Sequence, residues 1–339
     1  MEINFPENLT SSLDLDGCDY RHAIGRILNL RQARTYERNL DFGGAFAEAL
    51  YLARKAYYIK LVSRKEAEEE ATDYVDTIFS PLFSKEMAER KKDGRKEERI
   101  KTPERLQHLL ELYFSRFQFG KENIAPFLLN DEISAEQVVK IELFPEVNLA
   151  VKPDMIAIKA DGSYSILLDE KTVGNAAKET SWPEYVYMAR PQFNLYSYVL
   201  NEAQKRGELN IPPIKEMEVR RAVIQPTLTS AGDYVHPINY ALDEGLLEEV
   251  FTDFFYITER RLESFNAFKD EEIEHVFDAV KTSRGLLSKY FRKNWEMCYQ
   301  YGKPCPLIEH CTVGRNLGLL GFKESKVDTV TKEITFEEE

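Results

Sequence analysis

The periodicity of this chain changes after Gln137, and that change limits the folds open to it. Upstream, Phe46, Leu50, Ala53 and Tyr57 recur at helical spacing. Thr102-Pro103-Glu104 then supplies an N-cap, a proline at the first helical position and an early acid, ahead of the stripe Leu106, Leu109, Leu110, Tyr113, Phe114 and Phe117. Downstream, residues 138–144, 149–159 and 164–172 are short and rich in β-branched and apolar side chains, with Asp161-Gly162 between the last two as a hairpin turn. A helix over 191–206, a strand over 219–225 stopped by Pro226, and a helical stretch over 243–268 follow. This order predicts a mixed α/β fold with a central sheet flanked by helices. It divides the chain into a helical region over 1–135, a sheet-bearing core over 136–230, a helical region over 231–325 and a polar tail over 326–339 that is expected to be disordered.

Within the helical part, residues 66–73 form an acidic stretch expected to be exposed, and residues 85–105 are densely charged, with Lys91-Lys92-Asp93-Gly94-Arg95-Lys96 at their centre. Interspersed glutamates favour a solvated helix end and loop there over a DNA-contacting arm. The 45 basic and 58 acidic residues give a net charge of −13, which argues against a protein that coats nucleic acid nonspecifically. It leaves room for an enzyme whose carboxylates hold divalent metal ions. No apolar run approaches the ~20 residues needed to cross a bilayer, and residues 1–10 lack the features of a signal peptide, so a cytoplasmic location is expected.

Chemistry-bearing residues concentrate around the predicted hairpin. Pro153-Asp154 lies on one arm, and Asp169-Glu170-Lys171-Thr172 ends the other after the apolar run Ile166-Leu167-Leu168. Because strand side chains alternate, Asp169 and Lys171 share a face and Glu170 takes the opposite one. Two carboxylates and an ammonium group then converge at one edge of the sheet. Carboxylates hold hard divalent ions, which orient a phosphate and acidify a water, and a neighbouring lysine positions that water and stabilises developing negative charge. In isolation a D-x-K triplet is more often a solvated strand end; the paired Pro-Asp and the hairpin make that reading the weaker one.

Pro153-Asp154 with Asp169-Glu170-Lys171 resembles the signature motif of the PD-(D/E)XK nucleases, and Gln192-Phe193-Asn194-Leu195-Tyr196 resembles the Q-x-x-x-Y element of their RecB-like branch. The resemblance implies a restriction-endonuclease-like mixed sheet, Mg2+ or Mn2+ on Asp154 and Asp169, water activation by Lys171, and contact of Gln192 and Tyr196 with DNA. Those two residues are four apart and share a helix face. Glu142 resembles an additional upstream acid of such sites. The segment Phe42-Gly43-Gly44-Ala45-Phe46-Ala47-Glu48 resembles the glycine-led helix that presents a metal-binding histidine, with Ala47 where the histidine is expected and Glu48 as a substitute ligand one position, about 100°, around the helix.

The chain has four cysteines, Cys18, Cys298, Cys305 and Cys311, the last three in a C-x6-C-x5-C arrangement. Disulfides do not suit a cytoplasmic chain. Zinc sites favour short C-x(2–4)-C pairs, whereas iron–sulfur clusters accept varied spacings, so a cluster is favoured and structural zinc stays open. Ser11-Ser12-Leu13 before Cys18, and Cys305-Pro306 before Cys311, are similar to the iron–sulfur RecB-like exonucleases, including CRISPR-associated and helicase-linked members. This implies a 4Fe-4S cluster joining the two chain ends; Asp19 stands where many relatives have proline. His310 is expected to be a solvated loop histidine, with the alternative that it replaces a thiolate ligand.

Lys281, Arg284, Lys289, Arg292 and Lys293 occur without an acid until Glu296, interleaved with Tyr290, Phe291 and Trp295. They suit either phosphate contact with base stacking, or a helix whose aromatics pack inward. The expected activity is metal-dependent hydrolysis of DNA, exonucleolytic on ends or single strands. The rival is a nuclease-fold protein that has lost cleavage and acts in nucleic-acid binding or assembly, for which Ala47 is the main support.

Overall fold

The computed structural model describes residues 5–10, 18–32, 42–92, 94, 96, 98–129, 132–133, 138–174, 188, 190–225, 227–269, 280, 284–295, 298, 305–313, 315–317, 319–320, 322–327 and 334–336. Ser11 to Leu13, Asp93, Arg95, Pro226, Lys281 and Glu296 lie outside them. The chain divides into two units: a sheet unit of Arg38–Val139 and Lys152–Leu247, and a cysteine unit of Met1–Glu37, Lys140–Val151 and Glu248–Glu339.

In the sheet unit, α1 (Phe42–Tyr58) and α2 (Arg64–Tyr74) are followed by a π-helical turn that runs straight into α3 (Ser80–Lys92). The expected acidic stretch is α2, and it is not wholly exposed: Ala67 and Ala71 are buried in the helical core. Ser63 opens α2 with a reciprocal capping box to Glu66. Thr102 caps α4 (Pro103–Arg116) by accepting the Arg105 N–H, with Pro103 in the first turn as expected. The apolar faces of α1 and α4 meet in one core, where Phe46 and Tyr113 pack edge to face with centroids 5.8 Å apart.

Five strands form the central sheet: β1 (Ile124–Pro126), β2 (Met155–Lys159), β3 (Ser165–Gly174), β4 (Ile214–Ile224) and β5 (Tyr234–Ala241), in spatial order β5-β4-β3-β2-β1. The sheet is mixed. β2 and β3 form the antiparallel hairpin expected around Asp161-Gly162, and Gly162 takes the left-handed conformation (φ 70°) that the tight turn requires. β3 and β4 are parallel, so the chain must cross over between them, and α5 (Pro191–Lys205) lies on that connection. Ser165 to Glu170 are all buried, as a central strand covered on both faces requires. Ala222, Ile224 and Val235 join the core of α1 and α4, placing those helices on one face of the sheet. β5, which contains Pro237, is a correction to the helical region expected over 231–325; a proline is tolerated because this is an edge strand.

Residues 149–159 do not form the single strand their composition suggested. They split at Lys152-Pro153-Asp154: Val147–Val151 pairs with Asn8–Thr10 and Val139–Phe144 in a three-stranded sheet, while Met155 starts β2. Pro153 has no N–H for a ladder, and Asp154 instead accepts the Glu170 N–H through its side chain.

The cysteine unit centres on an apolar cluster of Tyr20, Ile24, Ile27, Leu28, Phe265, Phe268, Leu287 and Phe291 among others. Helix α6 (Glu244–Lys269) supplies Phe265 and Phe268. Buried Asp19 accepts from Arg261 Nε at 2.8 Å and from Arg260 at 2.9 and 3.0 Å, so it anchors the segment after Cys18 to α6. The expected disordered tail is partly ordered: Ile334–Phe336 pairs antiparallel with Phe322–Val327, which also pairs with Leu30–Gln32. Long-range strand pairing, invisible in local composition, supplies that order.

Candidate active site

β3 carries the site because its alternation sends neighbouring residues into different surroundings. Asp169 is only 3% exposed, and its Oδ1 receives Lys171 Nζ at 2.7 Å on the shared face. Asp154, at the bend before β2, accepts the Glu170 backbone N–H through Oδ2 at 2.7 Å. The structure thus brings Asp154, Asp169 and Lys171 together, although Asp154 precedes the strand rather than lying within it.

Glu170 points to the opposite face, into a buried polar network. Arg54 of α1 grips its carboxylate in a bidentate ion pair, and the Tyr113 hydroxyl of α4 donates to it at 2.5 Å. Arg54 also donates to Tyr113 Oη at 2.7 Å, as does Arg220 of β4 at 2.9 Å; Arg220 is itself paired with Glu218 and Glu122. These contacts hold the Glu170 carboxylate well below its ordinary range against the opposing effect of burial. The anchored Glu170 fixes the N–H on which Asp154 rests. Sequence reading missed this network because Arg54 and Tyr113 sit on helix faces that otherwise look simply apolar.

Helix α5 covers the Asp169–Lys171 face. Lys171 Nζ lies 5.8 Å from the Phe193 ring centroid, and Gln192 Nε2 donates to Tyr196 Oη at 3.2 Å, so the two Q-x-x-x-Y residues share one face as expected. Burial opposes the charge on Lys171, but Asp169, Asp154 and, to a lesser extent, Tyr196 outweigh it and raise the Lys171 pKa. Arg190, just ahead of α5, lowers the cost of charge on Asp169, and the Tyr240 hydroxyl on β5 is made harder to ionise by burial and by Asp169. Neither was singled out from sequence.

Burial and the Asp169 charge push Asp154 up to about 7, and burial raises Asp169 as well. Two crowded carboxylates share one ammonium group, and Asp169 Oδ2 is buried without a hydrogen-bond partner. A divalent cation would satisfy that oxygen and neutralise the pair, so the donor chemistry fits Mg2+ or Mn2+. Among the described residues no group of three or more His, Cys, Asp or Glu side chains is arranged to hold a metal, so the carboxylate pair would need water or substrate oxygens to complete coordination. Glu48 is exposed and its charge acts on Tyr74, while Ala47 beside it is half-buried on α1. Glu142 is exposed and belongs to the cysteine unit.

No disulfide joins the cysteines. Cys18, Cys305 and Cys311 border the apolar cluster of the cysteine unit, and the Cys305 N–H donates to the Cys298 carbonyl at 2.7 Å. Burial pushes the thiols of Cys298, Cys305 and Cys311 up, to about 11 for Cys311, and Cys18 adds to the effect in each case. Lys293 and Arg21 act in the opposite sense on Cys311 and Cys305. Four thiols with cations nearby fit an anionic tetrathiolate centre as a donor set, although no three of them converge to metal-binding geometry. His310 is not solvated. It is fully buried, with Nε2 hydrogen-bonded to Tyr20 Oη at 2.9 Å and Nδ1 to the Arg315 carbonyl at 2.7 Å, which leaves neither ring nitrogen for a metal.

Residues 11–312 match the PD-(D/E)XK nuclease superfamily, and the chain belongs to it. Among solved structures, it is similar to a crystal structure from Eubacterium rectale described provisionally as an exonuclease, with 12% identity, TM-score 0.32, and coverage of 70% of this chain and 87% of the other. No curated protein matches. Among the described residues, no helix is long and apolar enough to cross a membrane.

Proposed function

We propose that this chain is a divalent-metal-dependent deoxyribonuclease that acts exonucleolytically on DNA ends or single strands. The observation that carries the reading is the buried, unpartnered Oδ2 of Asp169 beside Asp154 and Lys171, in a chain of the PD-(D/E)XK superfamily. Asp154 and Asp169 would hold Mg2+ or Mn2+, which when bound supplies charge neutralisation at the phosphate and a lowered pKa for a water. Lys171 stays protonated, is oriented by Asp169 Oδ1, and presents its ammonium group to the attacking water and to negative charge developing on the phosphate. Gln192 and Tyr196, on the face of α5 near Lys171, seat the strand. Cys18, Cys298, Cys305 and Cys311 would hold a 4Fe-4S cluster that ties the N-terminal segment to the C-terminal one and serves stability rather than hydrolysis.

The test is cleavage of end-labelled single- and double-stranded DNA by anaerobically purified protein, with and without Mn2+. Asp169→Ala and Lys171→Ala are each expected to remove cleavage while leaving the far-UV spectrum unchanged. Wild-type cleavage by Asp169→Ala would overturn the site. Binding without cleavage by the wild type at any metal concentration would favour a silent nuclease-fold protein, the reading that Ala47 supports.

A further inference from the structure

The segment Arg284-to-Trp295 divides into an inner and an outer set of side chains. Leu287 and Phe291 are buried in the apolar cluster, whereas Lys289 and Arg292 are exposed and Trp295 is 55% exposed. Packing therefore accounts for Phe291 but leaves the indole of Trp295, the costliest side chain to hold in water, with its surface open. The Lys293 ammonium group beside it and the Arg292 backbone are held in place. Lys293 Nζ sits 4.6 Å over the ring of fully buried Tyr20 and 5.8 Å from the Trp295 ring, and the Arg292 carbonyl accepts the Tyr20 N–H at 3.1 Å. Tyr20 is in turn braced by buried His310. Among the described residues neither Arg292 nor Lys293 has a carboxylate partner. In a chain of net charge −13, two successive cations close to an open indole, one of them seated over an aromatic ring, are a local exception.

We infer that the cysteine unit carries its own binding surface for single-stranded DNA, in which Trp295 stacks on an unpaired base while Arg292 and Lys293 contact the adjoining phosphates. An unpaired base offers a free π-face, which a paired base inside a duplex does not, so the surface selects single strands. The choice of DNA rests on the nuclease reading above; the stacking geometry does not depend on it.

The chain has two tryptophans, so Trp182→Phe leaves Trp295 as the sole indole emitter. With full-length protein in EDTA, where cleavage is stopped, oligo-dT is expected to quench that emission saturably, and blunt duplex is not. Trp295→Ala is expected to weaken binding of fluorescein-labelled oligo-dT, read by anisotropy in the otherwise wild-type protein, by about tenfold, the usual scale for one stacked base. Arg292→Ala with Lys293→Ala should reduce the slope of log affinity against log salt by about 1.4, from two single-strand phosphate contacts at about 0.7 each. Unquenched emission, equal quenching by duplex, or unchanged affinity in Trp295→Ala would overturn the inference. Repeating the titration in Asp154→Ala keeps the two readings apart. Quenching without cleavage in the wild type would count against the nuclease proposal alone, and cleavage without quenching against this surface alone.

Discussion

Asp154→Asn removes a charge from the site with little change of shape, and the amide oxygen can still accept the Glu170 N–H that Asp154 now accepts at 2.7 Å. In the protein without divalent ions, burial and the neighbouring Asp169 raise the Asp154 carboxyl from 3.8 to about 7. That rise corresponds to about 4 kcal/mol, which the partial solvent contact of Asp154 screens to about 2 kcal/mol. The sign follows from proton counting. Below about pH 4 both native and unfolded chains hold the proton, so nothing changes. Between about 4 and 7 the unfolded chain has released it and the native chain has not, so stability falls as pH rises; above about 7 the loss is complete. After chelation, Asp154→Asn should therefore be more resistant to urea than wild type by about 2 kcal/mol at pH 8, with the gain falling below about 1 kcal/mol at pH 5. Mn2+ should restore wild type at pH 8 and leave the variant unmoved. Equal stability of the two chelated proteins at pH 8, with parallel pH profiles, would refute this account of the pair's electrostatics.

Arg54→Met strands the Glu170 carboxylate in the core and should cost about 3–5 kcal/mol in denaturant melts, whereas Arg54→Met combined with Glu170→Leu should recover most of that loss. Glu48→Ala should change cleavage less than about twofold because the side chain is exposed beside Tyr74. Ala47→His should lower the Mn2+ needed for half-maximal cleavage by about tenfold if the family ligand is restored, the scale on which ligand surroundings change metal affinity. Anaerobic protein should be brown and carry about four irons per chain, and Cys311→Ser should lose the colour and iron together; zinc at one per chain without iron would exclude the cluster.

Local sequence determined the elements that depend on nearest neighbours. The capped helix at Thr102-Pro103, the Asp161-Gly162 hairpin and the alternation that separates Asp169 and Lys171 from Glu170 all follow from backbone geometry over a few residues. The resemblance of Pro153-Asp154 and Asp169-Glu170-Lys171 to the family motif could be read for the same reason, since Asp169 and Lys171 share one strand and Asp154 immediately precedes its hairpin partner. Tertiary structure decided what depends on distant partners. The break at Pro153 depends on the pairing of Val147–Val151 with Asn8–Thr10, and order near the C-terminus on the pairing of Phe322–Val327 with Leu30–Gln32. Burial of His310 depends on Tyr20, 290 residues away, and the hold on Glu170 on Arg54 and Tyr113, 116 and 57 residues away. Hydrogen bonds and ion pairs of such sequence separation leave no periodic trace in the chain, because their geometry exists only after the core has brought the partners together.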